Sequence, residues 1–348
     1  MKRDQLISTF SQLGMALHHL GSQDQWPGYA SGLTEEEFSS LKNLIQRQKH
    51  HNAWFTELSI NRAFMGWADL LQQEKLESWV QGYNFSQHPK RIGIIMAGNI
   101  PLVGFHDLLS VLMTGHHAVV KMSSDDQLLI PALFELLEKY APEIRQRIEL
   151  QPQKLQHIDA IIATGSNNSM GYFESYFGKY PHIFRKNRTS VAILDGSETD
   201  EELEKLGDDI FQYFGLGCRN ISQLLIPKDF DLDRFFGAII GQQDVIHHHK
   251  YANNYDYNRA MFLMNQVPVL ENGFLLLRES DELFSPLAVV YYHRYRNEEE
   301  INSFLNAHRE DIQAIVSKKH IPFGQAQAPG LTDYADGIDT LQWLSELA

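Results

Sequence analysis

The chain has 348 residues, more than one small module and fewer than three, so two domains that each bury a core are expected. Apolar residues make up 43% and charged residues 21%, the balance of an ordinary globular chain, and no run approaches the roughly 20 apolar residues that a membrane span needs. Lys and Arg number 30 against 44 Asp and Glu, a net charge of −14, which repels a phosphate backbone over most of the surface and argues against nucleic acid as a partner.

The segment Met1-Lys2-Arg3-Asp4-Gln5-Leu6-Ile7 has neither the apolar stretch nor the small-residue cleavage site of a signal peptide, so a cytoplasmic protein is expected. Leu6, Phe10, Leu13, Leu17 and Leu20 then fall at three- and four-residue steps. Phe38, Leu41, Leu44 and Ile45 repeat that spacing, and Leu58, Ala63, Phe64, Trp67, Leu70 and Leu71 predict a third helix. Thr34 ahead of Glu35-Glu36-Glu37 reads as a helix cap with an acidic first turn. Residues 1–85 are thus read as helical support.

From Arg91 the pattern changes to short apolar runs separated by Gly, Pro and Ser. Ile92-Gly93-Ile94-Ile95-Met96 reads as a strand, followed by a helix-like stretch to Thr114 and a second strand at Ala118-Val119-Val120. A helix over 126–140 leads to a third strand, 158–163. Buried strands alternating with helices predict βαβ units and a parallel sheet. A second cycle follows, with strands at 190–194, 222–227 and 287–292 and helices over 200–216 and 298–305, the boundary between the two α/β units falling near 185–195.

Cys218 is the single cysteine, so neither an intrachain disulfide nor a cysteine zinc cluster can form. It follows Phe214-Gly215-Leu216-Gly217, where two glycines allow a sharp turn and a close substrate approach. Taken alone, the thiol reads equally well as a packing residue or as a nucleophile. Met96-Ala97-Gly98-Asn99-Ile100-Pro101-Leu102 follows a strand and opens a helix, the place where backbone N–H groups face a dinucleotide, although an ordinary turn fits the spacing too. Asn99 could donate its amide to an oxyanion or cap the next helix. Ala163-Thr164-Gly165-Ser166 is a second strand end of this kind. His247-His248-His249 are consecutive and cannot readily converge on one ion, so no metal is expected. GxSxG, Walker A and HExxH motifs are absent from the sequence.

Together these segments resemble the aldehyde dehydrogenase superfamily, and within it the LuxC-like acyl-CoA reductase (fatty acid reductase) branch, over about residues 90–340. Met96-Ala97-Gly98-Asn99-Ile100-Pro101 is similar to the superfamily's Pro-Trp-Asn-Phe-Pro turn, and Ala118-Val119-Val120-Lys121 to its Val-Val-Leu-Lys-Pro strand end. Ala163-Thr164-Gly165-Ser166 resembles the Phe-Thr-Gly-Ser turn, and Gly215-Leu216-Gly217-Cys218 the Gly-Gln-x-Cys turn. Asp281-Glu282-Leu283-Phe284-Ser285-Pro286 resembles Glu-Glu-x-Phe-Gly-Pro, and Pro322-Phe323-Gly324 with Pro329-Gly330 resembles the closing Pro-Phe-Gly-Gly…Ser-Gly segment.

The resemblance implies an α/β fold with a Rossmann-type cofactor domain and a second α/β catalytic domain. In those terms residues 1–190 hold the helical segment and the cofactor domain, 191–320 the catalytic domain, and 321–348 a segment returning to the cofactor side. It implies Cys218 as nucleophile, with Asn99 and the Cys218 N–H as oxyanion hole. Lys121, Ser124, Thr164, Gly165, Ser166, Glu282 and Phe284 would hold the nicotinamide cofactor. NADPH is expected over NADH because Ser124 stands where NAD-preferring members carry a Glu. The water-activating Glu of hydrolytic members has no counterpart in Phe184-Arg185-Lys186-Asn187. Reduction of an acyl-CoA or acyl-carrier thioester to an aldehyde is therefore expected, with aldehyde oxidation or a non-reducing acyl carrier as alternatives. A homo-oligomer and an acyl-transferring partner protein complete the expectation.

Overall fold

The computed structural model describes residues 1–151 and 153–347 and divides the chain into two units, Met1–Lys186 with Gly330–Ala348, and Asn187–Pro329. In the first unit the apolar positions of helix α1 (Arg3–Ser22) are spaced to form one face, and Leu6, Phe10, Leu13, Leu17 and Leu20 are all buried. Helix α2 (Glu35–Gln48) begins with a reciprocal cap: Thr34 Oγ1 accepts from the Glu37 N–H at 3.3 Å, and the Glu37 carboxylate accepts from the Thr34 N–H at 2.7 Å. Helices α3 (Glu57–Leu70) and α4 (Gln73–Val80) complete the N-terminal layer, with α1 packed along α3.

Strand β1 (Arg91–Ile95) opens the sheet. There follow α5 (Phe105–Met113), β2 (His117–Lys121), α6 (Leu129–Tyr140), β3 (Ile148–Leu150), β4 (Ala160–Thr164), α7 (Asn167–Phe177) and β5 (His182–Arg185). The five strands are parallel in the order β3-β2-β1-β4-β5. The chain builds outward from β1 to one side and then to the other, so the order reverses between β1 and β4. Two helix starts differ from the sequence reading. Residues 97–104 form a turn, with Pro101 inside it and Leu102 in the left-handed region at φ 60°, so α5 starts only at Phe105. The helix expected from 126 starts at Leu129, after a turn in which the Asp126 N–H donates to the Ser123 carbonyl.

The second unit holds β6 (Thr189–Ile193), α8 (Asp200–Phe211), β7 (Ile221–Pro227), α9 (Leu232–Ala238) and α10 (His249–Met264). After these come β8 (Leu270–Glu271), β9 (Leu276–Glu279), β10 (Val289–Tyr295), α11 (Glu298–Ala307) and β11 (Ile312–Val316). Its sheet runs β11-β6-β7-β10-β9-β8, parallel except for the short edge strand β8. Helix α8 ends five residues before the expected Leu216, because Tyr213 (φ 54°), Phe214 (φ 60°) and Gly215 (φ 81°) are left-handed in succession.

Residues 330–347 belong to the first unit and end in α12 (Thr340–Ser345). Trp79 Nε1 donates to the Tyr334 hydroxyl at 2.9 Å, and Arg185, buried at the end of β5, donates to Asp107 Oδ1 (2.9 Å), the Ala335 carbonyl (2.7 Å) and Thr340 Oγ1 (2.9 Å). Among the described residues no helix is long and apolar enough to cross a membrane.

Candidate active site

In the first unit the expected cofactor residues gather at the carboxyl ends of the central strands. Ile95 of β1 is in register with Lys121 at the end of β2 and with Ala163 near the end of β4. The turn 97–104, the loop beyond Lys121 and Thr164-Gly165-Ser166 therefore surround one crevice at the point where strand order reverses, the usual ligand position in an open α/β sheet. Lys121 and Thr164 are half-buried, while Asn99, Ser124 and Ser166 are exposed. A Cβ on Gly98 would lie 2.5 Å from Ser123 Oγ, so only glycine lets the first turn close onto the loop after β2. Ser166 precedes α7 without a side-chain cap, its hydroxyl lying 3.2 Å from Ser169 Oγ, and the Ser169 N–H donates to the Ser166 carbonyl at 2.8 Å.

Asp126 lies just behind this crevice and is 4% exposed. Burial pushes its carboxyl up to about 6, against the opposing pull of the Leu102, Leu129 and Ile130 backbone N–H groups. It sits between the strained Leu102 turn and the start of α6, and the sequence gives no hint of it.

In the second unit Cys218 occupies a turn in which the Asn220 N–H donates to the Gly217 carbonyl at 3.0 Å. The Asn220 side chain, 3% exposed, reinforces that turn: its Oδ1 accepts from the Gly217 N–H at 2.8 Å. Its Nδ2 donates to the carbonyls of Asp209 (3.0 Å), Ile210 (3.1 Å) and Gln212 (2.8 Å), which α8 leaves open where it ends. Ser190 Oγ, on β6, donates to the Cys218 carbonyl at 3.0 Å. Cys218 itself is half-buried. The thiol is thus carried on a short turn fixed from three sides, a geometry suited to presenting a nucleophile.

Beside this turn is a pocket of about 190 Å³ whose lining includes Phe211, Phe214, Gly217, Tyr251, Phe284 and Leu287. The structure thus brings Phe284 to the Gly215-Leu216-Gly217 run, and Ser222 Oγ on β7 holds the Phe284 stretch by donating to the Leu283 carbonyl at 2.7 Å. Glu282 is exposed and close enough to the Tyr291 hydroxyl to help raise its pKa, after burial and against Arg278. Tyr251 and Tyr255 are packing residues of α10: the first donates to the Phe274 carbonyl at 2.9 Å, the second to Glu271 at 3.0 Å. The His248 ring packs against Phe214 at a tilt of 34°, with ring centroids 4.3 Å apart. Among the described residues no three His, Cys, Asp or Glu side chains form a metal cluster.

Asp209, 1% exposed on α8, accepts from the Gly324 N–H (2.7 Å) and the Ala326 N–H (2.8 Å), and burial pushes its carboxyl up to about 6. It thereby ties the Pro322-Phe323-Gly324 segment to the helix that Asn220 terminates. Sequence reasoning found neither Asp209 nor Asn220. An Asn two residues beyond a candidate nucleophile was the only available signal.

Two helix-flanked sheets, a crevice at the strand-order reversal and a turn-borne cysteine define an aldehyde dehydrogenase-like fold. Aldehyde dehydrogenase 21 from Physcomitrella patens, solved with the reaction product succinate, matches with a TM-score of 0.63 at 12% identity, over 91% of this chain and 74% of that one. An indole-3-acetaldehyde dehydrogenase solved with NAD⁺ matches with a TM-score of 0.64 at 13% identity, over 91% and 72%. A Bacillus cereus aldehyde dehydrogenase variant gives 0.63 at 13% identity over the same shares. No curated protein sequence matches the chain. Residues 24–233 match the model of the acyl-CoA reductase (LuxC) family, more than half of the chain, and the protein belongs to that family. It is accordingly an oxidoreductase acting at the acyl or aldehyde level.

Proposed function

We propose that the protein reduces an acyl-CoA to an aldehyde through an acyl thioester on Cys218, with NADPH as the reductant. The observation that carries this reading is the Cys218 turn, held by Asn220 and Ser190, whose Gly217 and Asn220 line a pocket of mixed polar and aromatic residues. The Cys218 thiolate adds to the acyl carbonyl carbon, and the carbonyl electron pair moves onto oxygen. The Cys218 N–H and the Asn99 amide, the latter assigned by its place in the family turn, receive that charge; such a donor typically contributes about 3 kcal/mol. The pair then returns and the coenzyme A thiolate leaves, taking a proton from solvent or a nearby acid.

The first unit's crevice fits a nicotinamide dinucleotide. Its glycine-closed turn at Gly98, the open α7 N-terminus for a pyrophosphate and the Lys121 ammonium for a ribose are the donor set such a ligand needs. Glu282 and Phe284 are assigned the nicotinamide end, and Ser124 leaves room for the 2′-phosphate that a carboxylate there would repel. Bound there, the reduced nicotinamide supplies the hydride. The return to aldehyde, rather than hydrolysis to acid, is favoured by Phe184-Arg185-Lys186-Asn187, where no carboxylate is present and Arg185 is committed to a buried ion pair with Asp107.

The test is loss of NADPH absorbance with purified protein and acyl-CoAs of short, medium and long chain, with Cys218→Ala alongside. Consumption that depends on acyl-CoA and vanishes in the variant is expected. Consumption that survives in Cys218→Ala, or formation of free acid from aldehyde without coenzyme A, overturns the reading.

A further inference from the structure

With Ser124 where a carboxylate would stand, the loop after β2 does not repel a 2′-phosphate, but Ser124 brings no positive charge to hold one. Its neighbour Asp125 is an exposed carboxylate and the whole chain carries −14, so a ribose phosphate at this loop needs a cation from another element. One side of the loop closes against Gly98. The end of α2 is joined to it as well, within the same unit. The buried Asn52 side chain makes that junction: its Nδ2 donates to the Asp125 carbonyl at 3.3 Å, and its Oδ1 accepts from the Trp54 N–H at 3.1 Å. His51 and Ser124 are thus each one residue away from the same hydrogen bond. A cavity of about 590 Å³, the size of a small-ligand site, opens along α2 here. Its lining runs from Glu36, Ser39 and Asn43 to Arg47 and His51, and includes Leu128 at the end of the loop that carries Ser124. Arg47 and His51 are exposed, and neither side chain has a hydrogen bond or ion pair among the described residues. Glu36 is about 16 Å from Arg47 along the helix axis, so the acidic end of the cavity is remote from its basic end.

We propose that Arg47 and His51 hold the 2′-phosphate of NADPH and so set the preference for NADPH over NADH. This assignment rests on the first unit's crevice being the dinucleotide site and deepens it by adding a specificity element from the N-terminal helices, which the sequence marks only as support. Arg47 presents a planar fork of N–H donors that matches phosphate oxygens, and the hydrogen bonds it forms are charge-assisted. The His51 ring adds a further donor beside it. Neither side chain has a protein partner to give up when the phosphate arrives. Asn52 fixes the end of α2 to the loop, which keeps both side chains next to Ser124. The competing role for Arg47 is structural, because it stands in the last turn of α2, where a cation favours the helix dipole. That role has no means of telling NADPH from NADH, and the experiment separates the two on this point.

The test is calorimetric titration of the full chain, without turnover, with NADPH, NADH, adenosine 2′,5′-bisphosphate and adenosine 3′,5′-bisphosphate, the last carrying its phosphate where coenzyme A does. The wild-type protein is expected to bind NADPH more tightly than NADH. Arg47→Gln should weaken NADPH and adenosine 2′,5′-bisphosphate on the order of tenfold to a hundredfold, the usual range for a hydrogen bond to a charged group. Its affinity for NADH and its unfolding midpoint in urea should stay at the wild-type values. Arg47→Lys should recover part of the loss, and His51→Gln should show a smaller loss in the same direction. Unchanged NADPH binding in Arg47→Gln, or NADPH and NADH weakened alike, overturns the assignment. A loss confined to adenosine 3′,5′-bisphosphate overturns it too and gives the cavity to coenzyme A. A wild-type protein that binds NADH as tightly as NADPH overturns the preference and this assignment but leaves the crevice as a dinucleotide site; one that binds neither overturns the crevice reading as well.

Discussion

At the scale of single residues, Asn220 does for the Cys218 turn what no backbone group can. Its one oxygen receives the Gly217 N–H while its amide is shared among three carbonyls at the end of α8. Replacing it by Ala leaves those buried groups unpaired, at about 1–3 kcal/mol for each group that water cannot reach. Asn220→Ala is expected to lower stability by about 2–4 kcal/mol in urea unfolding and to slow alkylation of Cys218 by iodoacetamide. An unchanged midpoint together with an unchanged alkylation rate would show that the turn holds itself. Cys218, and the glycines that announce it, were legible in the sequence because a thiol after Gly-x-Gly is a local pattern. Asn220 and Asp209 were not, because each acts through partners that only the fold brings near: Asn220 on the end of α8, and Asp209 on residues more than a hundred positions away.

Among the elements, the buried strands were the most readable: β1, β2, β4, β6, β7 and β10 are short apolar runs, and each lies within a few residues of its expected place. The end of α8 was not readable, since Tyr213 and Phe214 are left-handed without the Gly or Asn that usually marks that conformation. Helix α10 was missed as a helix for a related reason. Only Tyr251, Tyr255 and Asn258 of its sixteen residues are buried, which leaves no apolar period to detect. The start of α6 carries a test of its own, through Asp126. Its carboxyl titrates near 6 in the folded protein against an ordinary value of 3.8, so the folded state holds this proton more tightly than the unfolded chain. The group's contribution is complete below about pH 4 and is lost as pH rises through 6. A shift of about two units corresponds to about 3 kcal/mol, and Asp209, also near 6, acts in the same direction. The Tm of wild type should therefore fall between pH 4.5 and 7 on their account, and Asp126→Asn should remove about half of that fall. A variant whose Tm follows the wild-type curve over this range would mean that Asp126 is ionised at no cost.

For the whole molecule, the decisive long-range device is Arg185. It ends β5 and is spent on structure. One guanidinium nitrogen donates to Asp107 and Thr340 and another to the Ala335 carbonyl, with Asp336 at 3.8 Å, so the residues that follow Gly330 are locked against the sheet of the first unit. Taking one partner from a buried ion pair leaves the other charge unpaired, which typically costs about 3–5 kcal/mol. Arg185→Met is expected to lose about that much in urea unfolding, and Asp107→Asn a comparable amount. The double variant should lose clearly less than the sum, because the second substitution removes a charge that the first has already orphaned. Strict additivity would mean that the two side chains contribute independently despite their 2.9 Å contact. The coupled outcome would mean that one buried ion pair, centred on Arg185 at the end of β5, is a single energetic unit through which the segment after Gly330 is held to the first sheet.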